Sequence, residues 1–124
     1  MVTIAEAKAR VYPVLISLAR AGKKVTYGEL WKMAGFNPRW RRYMGQIPGE
    51  ISEVELAHHH PPLSAIVINE NSKYPGGGFL GLDCTPAELK RNNKKEYAKP
   101  LSDEDKAYVT LQQEAVWKHW GAIP

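Results

Sequence analysis

Apolar residues near the start of the chain recur with the period of a helix. Ile4, Ala7, Val11, Val14 or Leu15, and Leu18 form one stripe that ends at Gly22, and Thr3 followed by Glu6 has the spacing of a capping box. This predicts a first helix within residues 1–22, bent or split at Pro13, whose missing N–H cannot serve the helical ladder. Val25 to Leu30 repeats the device, with Thr26 as N-cap and Glu29 three residues on, and Gly35 as the stop of a short second helix. Asn37 can then cap a third helix with Pro38 in first position, where proline costs least, and Pro48-Gly49 is its expected end. Two helices joined by a short turn containing glycine predict a helix-turn-helix over residues 26–47.

Farther along, Ser52 and Glu55 offer another capping box before His58, His59 and His60 and the break at Pro61-Pro62. Leu63 to Ile68 is an apolar, β-branched run, Asn69 to Gly77 is turn chemistry, and Gly78 to Leu82 can return as a second strand. Such a hairpin over 63–82 would be a wing. Thr85-Pro86-Ala87-Glu88 has the form of a helix start, and Lys90 to Lys99 reads as an exposed basic connector. Ser102 opens a last helix over 102–120, in which Tyr108, Leu111 or Gln112, Ala115 and Trp117 or His119 keep a period near 3.6. The expected fold class is α+β, mostly helical: a single domain over 1–124, a winged helix-turn-helix with a β-hairpin wing and an added C-terminal helix.

Composition supports one packed core, since 44% of the 124 residues are hydrophobic and they include four Trp and six Tyr. The single cysteine excludes an internal disulfide, and no apolar run approaches a membrane span. An acid at Glu6, where a secretory leader would carry lysines, makes the cytoplasm the expected compartment. The net charge of +4 is a modest basic excess, so its placement matters more than its size.

That placement singles out the third expected helix. On a helix, Trp40, Tyr43, Met44 and Ile47 share one face, while Arg39, Arg42 and Gln46 share another beside the small Gly45. No acid stands between Asn37 and Gln46 to pair with Arg39, Arg41 and Arg42. Guanidinium groups suit phosphates and base edges alike, so the segment has the surface of a recognition helix for double-stranded DNA. The competing reading is an ordinary solvated basic helix.

The segment from Gly22-Lys23-Lys24-Val25-Thr26-Tyr27-Gly28-Glu29-Leu30, through Ala34-Gly35 and Asn37-Pro38-Arg39, to Arg42 and Gly45 resembles the DNA-binding domain of O6-alkylguanine-DNA alkyltransferases and alkyltransferase-like proteins. The resemblance implies that Tyr27 acts at a target phosphate and that Arg42 enters the base stack where an extruded nucleotide was. It does not extend to the alkyl-accepting Pro-Cys-His-Arg motif. Pro62-Leu63-Ser64-Ala65 stands in that place, without the cysteine, and the stretch from Pro48 to Pro61 is longer than the family pattern. DNA docking carries over, and alkyl transfer does not.

The remaining signals are weaker. Adjacent histidines diverge on a helix or a strand, so neither a metal nor any other cofactor is expected. Tyr74-Pro75-Gly76-Gly77-Gly78-Phe79 lacks the Lys-Ser/Thr of a phosphate loop and reads as a wing tip, with Lys73 within reach of a phosphate. Cys84 reads as a small buried filler. The expected DNA contacts are therefore Tyr27, Arg39, Arg41, Arg42, Gly45, Gln46 and Lys73, in a non-catalytic DNA-binding protein, with modified or damaged bases as the sharper target. Two alternatives stand beside it: a protein-interaction domain using Trp117, Trp120 and the aromatic C-terminal helix, and a small hydrolase or nuclease using His58 to His60.

Overall fold

The computed structural model describes residues 3–37 and 45–122. It is α+β and mostly helical. Helix α1 runs Ile4–Arg20, strand β1 Val25–Thr26 and helix α2 Tyr27–Met33; α3 is Gln46–Ala57, β2 Val67–Ile68, α4 Lys94–Tyr97 and α5 Asp103–His119. Short 3-10 segments occupy Leu63–Ile66 and Gly77–Gly81.

The starts expected from capping residues are where the side chains put them. Thr3 Oγ1 accepts from the Glu6 N–H at 3.1 Å, and the boxes Thr26/Glu29 and Ser102/Asp105 are reciprocal. Helix α1 continues through Pro13 without splitting. The stops are equally local. Gly22, Gly35 and Gly121 have φ of 67°, 81° and 94°, and the N–H one residue beyond each returns to a carbonyl in the last turn, Lys23 to Leu18, Phe36 to Trp31 and Ala122 to Trp117.

Several boundaries depart from the sequence pattern. Of the expected third helix, residues 38–44 lie outside the described residues, and Gln46 and Ile47 open α3. Pro48-Gly49 does not end that helix but sits in its first turn, where the N–H that proline lacks has no intrahelical partner anyway. Helix α3 therefore absorbs Ser52 and Glu55, which are buried members of it and not a new cap. The segment Thr85–Glu88 forms turns, and the next short helix starts at Lys94, capped by Asn93. The C-terminal helix buries Asp105, Tyr108, Val109, Gln113 and Val116, whereas Leu111 is 62% exposed.

The expected wing is also replaced. Strand β2 pairs with β1 in parallel, Val25 opposite Val67 and Thr26 opposite Ile68, and Gly77–Gly81 does not return as an antiparallel partner. Leu63 to Ile66 is buried between α1, α3 and α5, and side chains take over the backbone bonds a ladder would supply. The Ser64 N–H donates to Ser52 Oγ at 2.9 Å, and Gln113 Nε2 donates to the Ala65 carbonyl at 3.0 Å. Phe79 and Leu80 turn inward to the same core, and the Leu80 carbonyl accepts from the Arg91 N–H.

Residues 90–99 are not a simple exposed connector, because Arg91 is only 8% exposed. Its guanidinium donates to the carbonyls of Glu96, Tyr97, Lys99 and Pro100 and, at 3.2 Å, to Asp105 Oδ2. One planar fork thus closes the loop onto the start of α5.

Candidate functional site

Tyr27 is the first residue of α2, immediately after the N-cap Thr26. The phenol oxygen accepts from the Gly76 N–H at 3.0 Å. Burial pushes the Tyr27 hydroxyl above its usual pKa, and the Gly76 hydrogen bond offsets part of the shift. The glycine stretch is thereby a wall beside Tyr27 and not the tip of a wing: a Cβ built on Gly76 would stand 3.4 Å from the phenol oxygen.

Between these groups lies a cavity of about 210 Å³. Tyr27, Gly76 and Gly78 form one wall, Gly45, Pro48 and Gly49 from the start of α3 form another, and Phe79, Leu82 and Ser64 complete it. Among the described residues, no charged side chain lines it. Ser64 is 6% exposed, and its Oγ lies 2.7 Å from the donor Ser52 Oγ on α3.

The expected contact residues divide into three groups. Tyr27 and Gly45 meet at the cavity. Gln46 is exposed, with its amide bonded to Glu50 Oε2 at 2.7 Å, and Lys73 is exposed in a turn with φ of 66°. Arg39, Arg41 and Arg42 lie outside the described residues. Ser52, Ser64, Gly76 and Phe79 were not among the expected site residues. Their signal in the sequence is faint, since small and apolar residues far apart in the chain acquire a role only when α3 and the 63–82 segment meet.

None of the histidines, the cysteine or the C-terminal tryptophans is among the residues lining this cavity. His60 Nδ1 bonds the Glu55 carboxylate, His58 Nδ1 bonds the Val54 carbonyl, and the His60 and His119 rings stand 4.4 Å apart. Among the described residues, no group of three or more His, Cys, Asp or Glu is arranged to hold a metal ion. Cys84 is exposed rather than a buried filler, with Sγ 3.5 Å from the Tyr108 hydroxyl. Trp117 and Trp120 are partly buried against the core, and Trp117 Nε1 donates to the Lys23 carbonyl at 3.2 Å. No helix among the described residues is long and apolar enough to cross a membrane.

Comparison with known proteins returned no matching family model, no matching curated protein and no matching solved structure.

Proposed function

We propose that this protein is a non-catalytic DNA-binding protein that docks on the duplex through the helix-turn-helix region and holds one extruded, modified base in the cavity beside Tyr27. The observation that carries the reading is the cavity itself. Its described lining carries no charged side chain, includes Tyr27, Phe79 and several glycines, and lies where two helices begin. Its size is below the roughly 300–1,000 Å³ typical of clefts for drug-sized ligands, which suits a single ring system. A base taken out of the stack is read in this way, by apolar stacking and a few hydrogen bonds to its edge.

Charge outside the cavity supplies the docking part of the proposal. Arg39, Arg41 and Arg42 follow α2 in the sequence without an intervening acid, and Lys73 lies three residues from Gly76. These cations fit phosphates, while the cavity fits a base, which is the division between positioning and reading that DNA recognition uses. The reading is non-catalytic because Leu63 and Ser64 occupy the place of the alkyl-accepting cysteine, and Cys84 is not among the cavity residues.

A titration of plain duplex and of duplex containing O6-methylguanine, each at two salt concentrations, tests it. Affinity for both duplexes is expected to fall with added salt through counterion release, and the ratio between them to stay nearly constant because the base itself is neutral. Arg39→Ala with Arg42→Ala should weaken both duplexes together. Binding that is indifferent to salt, or unchanged in the double variant, would overturn DNA docking.

A further inference from the structure

Tyr74 draws together two cations from distant parts of the chain. Lys73 precedes it in the turn, and Lys106 on α5 sets its Nζ 5.6 Å from the centre of the Tyr74 ring. A ring face attracts an ammonium group within about 6 Å without cancelling its charge, as a carboxylate would. Among the described residues neither lysine is in an ion pair, although Glu70, Asp103 and Glu104 lie close in the sequence. The fold fixes the backbone at both positions. Lys73 holds a φ of 66°, in the region that favours glycine. Its turn is closed by the Lys73 N–H to the Asn69 carbonyl and by the Asn69 N–H to the Tyr74 carbonyl, each at 2.9 Å. Strain kept at an exposed, charged residue fits a role for its side chain. Lys106 follows Asp105, which Arg91 and the α5 capping box hold in place.

We propose that Lys73 and Lys106, gathered at Tyr74, form one site for the adjacent backbone phosphates beside the extruded nucleotide. This rests on the reading of the protein as one that docks on DNA. Gly76, whose N–H meets Tyr27 at the cavity, is two residues beyond Tyr74, so their backbones are at most about 7 Å apart. The phosphates that flank an extruded base stay close to the pocket that holds it, and ammonium groups meet their oxygens as point charges. Helix α5 thereby joins the docking surface, to which the sequence pattern assigned none of its residues.

The test follows the affinity of the full chain for plain duplex across a series of salt concentrations. Each phosphate contact contributes close to one unit to the slope of log affinity against log salt. Lys73→Gln and Lys106→Gln should each lower that slope by about one unit and together by about two, whereas Lys106→Arg, which keeps the charge, should retain it. The ratio of affinities for O6-methylguanine duplex and plain duplex should not change, since phosphate contacts carry no base information. Lys118→Gln is the control: Lys118 is exposed on the same helix about 18 Å farther along, and its loss should leave the slope as it is. An equal drop in Lys118→Gln, or a changed ratio in Lys106→Gln, would overturn the phosphate site. If Lys106→Gln keeps the full slope while Arg39→Ala with Arg42→Ala weakens binding, this inference fails and DNA docking stands. If the unmodified protein does not bind plain duplex, the docking reading fails and this inference with it.

Discussion

His59 holds a conformation that the other long helices give to glycine. Helices α1, α2 and α5 each end with a left-handed Gly, whereas α3 ends with His59 at φ 60°, from which the His60 N–H returns to the Glu55 carbonyl at 2.9 Å. A side chain in that region is strained, and the neighbouring His60 holds the strain in place, since it also bonds the Glu55 carboxylate and packs on His119. His59→Gly is expected to stabilise the fold by about 0.5–1 kcal/mol, because relief of the strain outweighs the added freedom of the unfolded chain. Chemical denaturation checks this, and a midpoint that falls would mean that His59 contributes more through its side chain than it costs through its backbone.

Among the elements, the loop that carries Arg91 shows most clearly how one residue substitutes for regular structure. From Asn92 to Leu101 the described backbone has only one helical turn, α4, yet its carbonyls at 96, 97, 99 and 100 converge on the same guanidinium. Asp105 serves both as the acid of the α5 capping box and as the ion partner of Arg91, so the loop and the helix start are set together. Arg91→Ala should destabilise by about 3–5 kcal/mol, the range for removing one partner of a buried ion pair. Arg91→Lys should recover only part of that loss, since an ammonium group cannot match a planar fork of donors. Thermal unfolding of the two variants measures both effects, and a loss below about 1 kcal/mol in Arg91→Ala would show the network to be dispensable.

At the scale of the whole molecule, three tyrosines tie stability to alkaline pH. Burial raises the hydroxyls of Tyr27 and Tyr108, and burial, a hydrogen bond to Glu55 and that carboxylate's charge together push Tyr12 up to about 12 from the ordinary value of 10.0. Below about pH 10 these phenols are neutral whether the chain is folded or unfolded, so the stability they confer is fully present. Above it the unfolded chain loses protons first, the folded state binds more, and stability falls with rising pH until the folded groups ionise too. Melting temperature should therefore decline more steeply between about pH 10 and about pH 12 than between about pH 7 and about pH 9. Tyr12→Phe, which cannot ionise, should make that decline shallower, and an unchanged slope would remove Tyr12 from the account.

The sequence by itself determined what local chemistry controls. Thr3, Thr26 and Ser102 begin helices because their hydroxyls meet backbone N–H groups three residues away, and Gly22, Gly35 and Gly121 end them because a left-handed residue costs least without a Cβ. Tyr27 was singled out by its motif as an expected contact residue, and the fold sets it beside the cavity. The 3-10 turn at 63–66, the place of Pro48 in a first turn and the position of Ser64 at the cavity were not legible, since each depends on neighbours far along the chain. The β-branched run at 63–68 suits a strand by itself, but burial between three helices let Ser52 and Gln113 satisfy its backbone, and a 3-10 turn resulted. Pro48 reads as a stop until the preceding residues place it in a first turn, where its missing N–H costs nothing. Ser64 meets Ser52, twelve residues earlier, only because the packing of α3 on that turn brings the two hydroxyls within hydrogen-bond distance. Propensity acts over one turn of chain, whereas hydrogen-bond satisfaction in a closed core is settled across the whole of it.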